Sequence, residues 1–134
     1  MYLQQLKNDQ KNLFMQMAFH LSMIDGDYSE QEQILMKSYA GEMGIKWDEK
    51  MITDTLEGVI DKLQKSCGEL EKKVIVFEII GLAMSDGNYD AEERKWITLI
   101  CQKFGLKKEY PMLCENCIND YFKIQRRMNQ IVEG

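Results

Sequence analysis

The chain has 134 residues, 45% of them apolar and 29% charged, with a formal net charge of −5. This balance supports a packed core and excludes a disordered chain. The longest apolar run, Val74 to Met84, is interrupted by Glu78 and Gly81 and falls short of the about 20 apolar residues that a bilayer span needs.

In chain order, Phe14, Met17, Ala18 and Leu21 recur at helical spacing and predict a first helix. An acidic loop, Asp25 to Glu32, follows. Within it Ser29-x-x-Glu32 is a capping box that starts a second helix. That helix carries the stripe Met36, Tyr39, Ala40 and Met43. Gly44-Ile45 ends it, with glycine in the left-handed position and the next apolar residue folded back. A third helix is expected within roughly 53–66. Ile75, Ile79 and Leu82 mark a fourth, and the apolar character of Val74 to Met84 on nearly every side makes it the expected central helix. Gly26 and Gly87 are expected to close the first and fourth helices. A second acidic loop, Asp86 to Glu93, leads through the cap Asp90-x-x-Glu93 into a helix striped by Ile97, Ile100, Cys101 and Phe104, ending at Gly105-Leu106. A last helix, over about 111–132, opens near Pro111. It is expected to run along Cys117, Tyr121, Ile124, Met128 and Ile131. Alternation of β-branched and polar residues is rare, so strands are not expected.

The two loop-and-helix segments are copies of one pattern. Leu21 to Ile45 and Leu82 to Leu106 stand at a constant offset of 61 (82 − 21 and 106 − 45). Leu21, Met23, Asp25, Gly26, Tyr28, Glu32 and Gly44 recur as Leu82, Met84, Asp86, Gly87, Tyr89, Glu93 and Gly105. The expected fold is all-α: an internally duplicated bundle of six to seven helices in one domain, with repeat units over about 12–45 and 73–106.

The loops hold the negative charge. Asp25, Asp27, Glu30 and Glu32 fill the first; Asp86, Asp90, Glu92 and Glu93 fill the second. Neither window has a basic residue, so the rest of the chain sums to −5 − (−8) = +3. Glu30, Glu32, Glu92 and Glu93 suit helix starts. Asp25 and Asp86 instead sit at the ends of the preceding helices, where the dipole costs a carboxylate about 0.3–1 kcal/mol. A cation would remove that cost. Asp25, Asp27, Glu32, Asp86, Asn88, Asp90 and Glu93 are accordingly the candidate oxygen ligands for Ca²⁺, Mg²⁺ or Mn²⁺. The structural alternative is that Asp25 and Asp86 form Asx turns. An EF-hand is excluded: its sixth and twelfth positions would be Glu30 and Met36, or Ala91 and Ile97, in place of glycine and glutamate.

Other residues suggest packing before chemistry. Ten methionines suit an adaptable core, with a Met-rich binding surface as the alternative. Cys114 and Cys117 form a C-x-x-C, but both lie on one helical stripe with Ile118 and Tyr121, and the remaining candidate zinc ligands, Cys67, Cys101 and His20, are scattered. Glu78 is a carboxylate in the most apolar helix. It requires a partner, a wet edge or a raised pKa. Tyr28 and Tyr89 precede the caps, with Gln33 and Arg94 where a hydrophobic staple would need apolar partners. Lys107, Lys108, Lys123, Arg126 and Arg127 are diluted by acids, which argues against nucleic acid as a partner. No phosphate loop or nucleophile motif is present, and no signal-peptide pattern begins the chain, so a cytoplasmic protein with reduced cysteines is expected.

The paired segments Asp25-Gly26-Asp27-Tyr28-Ser29-Glu30-Gln31-Glu32 and Asp86-Gly87-Asn88-Tyr89-Asp90-Ala91-Glu92-Glu93, each between apolar helices and followed by Gly44 or Gly105, resemble the TerB-like family, named for tellurite-resistance proteins. The likeness covers most of Leu13 to Leu106. It implies an all-helical duplicated fold and a cytoplasmic role in stress or tellurite response, often near membrane partners. It also makes the acidic positions Asp25, Glu32, Asp86 and Glu93 candidates for divalent-cation binding. The expected function is a non-enzymatic, cation-responsive interaction module with a protein partner. The alternatives are a metal-independent helical adaptor and a metal-dependent hydrolase.

Overall fold

The computed structural model describes residues 1–24, 29–85 and 89–134. Among them are six α-helices: α1 (Asn8–Ser22), α2 (Glu30–Met43), α3 (Leu56–Ser66), α4 (Glu69–Met84), α5 (Ala91–Phe104) and α6 (Tyr110–Glu133). Short 3-10 turns lie at Leu3–Gln5 and Glu49–Met51, and no strand occurs among the described residues. The duplication extends to helix boundaries. Moving α1 and α2 by 61 gives 69–83 and 91–104, within one residue of α4 and α5.

Equivalent caps use equivalent chemistry. Gly44 and Gly105 adopt φ of 69° and 70°, and Ile45 N and Leu106 N each reach back to a carbonyl five residues earlier, on Ala40 and Cys101, at 3.0 Å. At the starts of α1 and α4, the Lys7 and Gly68 N–H groups donate to the side chains of Gln10 and Glu71 at 2.9 and 3.0 Å. Those two side chains also meet, with Gln10 Nε2 3.4 Å from Glu71 Oε1. Residues related by 61 positions therefore come together near a local two-fold axis. Gly26 and Gly87, expected as helix ends, lie outside the described residues. The helices stop ahead of them, with Met23 and Ser85 as caps in right-handed conformation.

α1 packs on α2, α4 packs on α5, and α1 meets α4 across the axis. α3 bridges α1 and α5, while α6 covers α4 and α5. The expected stripes of three helices point inward: Phe14, Met17, Ala18 and Leu21 on α1; Met36, Tyr39, Ala40 and Met43 on α2; Ile97, Ile100, Cys101 and Phe104 on α5. α4 is the central helix, burying residues on every side, including Ile75, Val76, Ile79 and Ile80. Each such enclosed aliphatic side chain contributes about 1.5–3 kcal/mol over an exposed one.

Buried polar groups in this core are satisfied. Gln16 Oε1 accepts from Thr53 N at 3.1 Å and Asp54 N at 3.3 Å, holding the segment before α3. Tyr39 Oη donates to the Glu78 carbonyl at 3.0 Å. The Glu78 carboxylate is buried. It accepts from Tyr2 N at 2.8 Å and lies 3.0 Å from the Met1 ammonium.

The last helix departs from expectation. It is 24 residues long, about 36 Å at 1.5 Å per residue. Only Cys114 and Ile118 are buried on it. Tyr121, Ile124, Met128 and Ile131, expected as one apolar stripe, are 47%, 54%, 58% and 80% exposed, and Cys117, expected to pack in the core, is exposed too. Their periodicity is helical, but beyond Phe122 the helix runs past α4 and α5 and none of the described residues covers it.

Candidate functional site

Both acidic segments feed into the first turn of a helix, and the caps fix where their carboxylates point. Ser29 Oγ accepts from Glu32 N at 3.1 Å, and Glu32 Oε1 accepts from Ser29 N at 3.1 Å, completing the capping box. In the second repeat Asp90 Oδ1 accepts from Glu93 N at 2.9 Å. Glu32 and Glu93 are thereby set at the third position of α2 and α5, turned toward the core. They are only 5% and 7% exposed.

The two carboxylates converge. Glu32 and Glu93 line one narrow crevice, closed tightly enough to leave no room for a water molecule, whose walls include Leu21 and Ser22 from α1 and Leu82 and Ala83 from α4. The crevice lies where α1 and α4 end. Helix ends carry unpaired carbonyls and partial negative charge, so two negative helix termini and two carboxylates share one locus. A shared cation or proton, or well-placed donors, would favour such an arrangement. Ser22, at the same locus, is committed to its own helix, its Oγ donating to the Ala18 carbonyl at 2.9 Å.

Of the candidate ligands read from the sequence, Glu32 and Glu93 are brought together here, and Asp90 serves as a helix cap. Asp25, Asp27, Asp86 and Asn88 lie outside the described residues. Among the described residues, no group of three or more His, Cys, Asp or Glu side chains is placed to hold a metal ion.

Tyr28 also lies outside the described residues. Its counterpart Tyr89 has a definite role. The Arg94 guanidinium sits 4.2 Å from the centre of its ring and pairs with Glu115 of α6 at 2.9 Å. Burial, then the Glu115 charge, raises the Tyr89 phenol pKa. The incomplete hydrophobic staple is thus replaced by a cation–π contact that ties the α5 start to α6.

No family model and no curated protein matches this sequence. A solved structure does match: a tellurite resistance protein from Nostoc punctiforme superposes with a TM-score of 0.66 at 18% identity, covering 96% of this chain and 84% of that one. The fold is TerB-like. The resemblance read from the two Asp-Gly segments therefore holds for the architecture.

Within this TerB-like fold the remaining candidates occupy structural positions. His20 is half-buried, and its Nε2 is 2.9 Å from the Asp54 carbonyl, joining α1 to the segment before α3. The C-x-x-C is split, with Cys114 buried and Cys117 exposed. Burial pushes the Cys101 thiol up to about 12 and raises Cys114 and Cys67 as well. No described helix of the TerB-like bundle is long and apolar enough to cross a membrane.

Proposed function

We propose that the chain is a non-enzymatic interaction module whose two acidic segments respond to a divalent cation, in the kind of tellurite-resistance role for which its structural neighbour is named. The observation that supports this reading is the convergence of buried Glu32 and Glu93 on one crevice at the ends of α1 and α4. The donor chemistry fits a hard cation, since carboxylates and backbone carbonyls are the ligands of Ca²⁺, Mg²⁺ and Mn²⁺. The adjoining segments supply the carboxylates of Asp25, Asp27 and Asp86 in sequence.

A cation bound only by the folded state stabilises it by RT ln(1 + [L]/Kd), about 2.7 kcal/mol at a hundred times Kd. Millimolar Ca²⁺, Mg²⁺ or Mn²⁺ should therefore raise the melting temperature above that in ionic-strength-matched NaCl. Replacing Asp25→Asn together with Asp86→Asn should abolish that increment while keeping the capacity for Asx turns. An identical response of both proteins to every divalent ion would exclude this reading.

A second reading has its own observation. The Ser29–Glu32 capping box already gives one buried carboxylate a structural task. On this reading the acidic segments only cap helices and the module is a metal-independent adaptor. Cation-dependent turnover of a phosphoester by the wild type, lost in the double variant, would instead establish a hydrolase.

A further inference from the structure

The two halves of the bundle differ in how α3 and α6 close against the helices beside them. α3 packs on α1 and closes against α5. By the local two-fold, α6 packs on α4 and would close against α2. Instead it leaves a groove of about 600 Å³ with α4 as its floor. Phe77 and Gly81 form that floor, Leu35 and Ser38 of α2 one wall, and Tyr121 and Phe122 of α6 the other. The apolar surface does not stop there. It continues along α6 through Ile124, Met128, Ile131 and Val132, which are 54–83% exposed.

We propose that this surface is the interface of a two-fold dimer in which the projecting end of α6 from each copy lies in the α2–α4–α6 groove of the other. The molecule carries both complementary parts, a protruding apolar helix face and a recessed apolar groove, side by side. Self-complementarity of that kind is what a closed two-fold interface requires.

The dimensions agree. The wholly exposed segment, residues 123–134, would be about 18 Å long as a helix about 10 Å across, and half of its accessible surface is roughly 360 Å². With a like area of groove covered, and both joints counted, the pair buries about 1,400 Å², within the range of stable interfaces. Charge agrees too. The same segment, residues 123–134, carries Lys123, Arg126, Arg127 and Glu133, a charge of +2. The groove itself is lined by the Glu42 and Glu78 carboxylates and one cation, the Met1 ammonium, a charge of −1. Each projecting helix is thus basic and docks on a groove of net negative charge, which favours this pairing over contact of the two projections with each other.

Sedimentation of the full chain from low to roughly 100 µM tests this, because an interface of this size binds at micromolar strength or tighter. The wild type should be a dimer at the upper end. The double variant Ile124→Glu, Met128→Glu should be monomeric with unchanged helical circular dichroism, since both residues are exposed in one copy. Ser38→Trp, which fills the groove from the other wall, should also be monomeric, and either variant suffices should the other misfold. A mixture of the two variants retains one intact joint, a good helix from one and a good groove from the other. It should associate more strongly than either alone. A wild type that stays monomeric, a dimer indifferent to both variants, or a monomer whose α6 end instead binds phosphatidylserine vesicles would overturn the proposal.

Discussion

Glu32 and Glu93, 61 residues apart in sequence, line the same crevice from equivalent turns of α2 and α5. A divalent-ion response carried by this pair should vanish when its charge is removed without removing its capping capacity. Glutamine still serves the third position of a capping box. The double variant Glu32→Gln, Glu93→Gln should therefore melt at or above the wild-type temperature without metal, and gain nothing from Ca²⁺, Mg²⁺ or Mn²⁺ beyond the effect of NaCl. Differential scanning calorimetry measures both arms. A preserved metal increment would remove these two residues from the site.

Three glycines separate backbone strain from packing. Gly44 and Gly105 have φ near +70° and open space where a Cβ would stand. Alanine at either position meets no clash yet must adopt the left-handed region, at a cost of about 1–2 kcal/mol each. Gly81 lies within α4, where an added Cβ would make only ordinary contacts, at 3.9 Å to Ile118 Cδ1 and 4.0 Å to Tyr39 Oη. Gly81→Ala should stabilise by about 0.5–1 kcal/mol. Urea titration should show opposite signs for Gly81→Ala and for Gly44→Ala or Gly105→Ala.

The caps can be tested in the same assay. Ser29→Ala and Asp90→Ala each remove a side-chain acceptor from a helix start and should cost about 1 kcal/mol. The sites are distinct helix ends without a shared partner, so the costs should add. A strongly non-additive double variant would reveal coupling across the crevice.

Thiol chemistry should be confined to one residue at neutral pH. Cys117 is exposed, whereas Cys67, Cys101 and Cys114 are buried with raised pKa values. One equivalent of iodoacetamide label should enter rapidly, at Cys117, and the others only on unfolding. The buried thiols also set a pH dependence. The folded pKa of Cys101, about 12, lies above its ordinary value of 9.0. Below the unfolded pKa its contribution to stability is complete. Above it the unfolded chain loses the proton first, so stability falls from about pH 9 upward. Between pH 8 and pH 10 the wild type should lose more stability than Cys101→Ala does.

The repeat made most of the fold legible before any coordinates. A constant offset of 61 carries capping, stripe and stop signals together, and each signal is local physics. Glu78 shows where such reading ends. Nothing near it in sequence offers a partner, because the groups that meet it, Tyr2 N and the Met1 ammonium, come from the other end of the chain. The α6 stripe failed for a different reason. Helical periodicity reports that one face is apolar, and Cys117, Tyr121 and Ile124 satisfy it. It does not report whether another element reaches that face. For the site, Glu32 and Glu93 were named as candidates on the TerB-like resemblance and the cap pattern. Their convergence on a single crevice is a property of the two-fold arrangement of α2 and α5, which neither segment encodes alone. Ser22 was missed: it is a buried polar residue on an apolar face, and its counterpart in the second repeat is Ala83.

Glu78 also marks a place where the two halves place unlike demands on equivalent residues. Its counterpart 61 positions earlier is Met17, which is wholly enclosed. Two identical copies of the second half, assembled as α1 and α4 are, would place a carboxylate in that enclosed position, at a penalty of several kcal/mol. Glutamate is accommodated at 78 because that position faces the amino-terminal Met1 and Tyr2. Positions 17 and 78, which the repeat equates, are therefore not interchangeable in the folded chain.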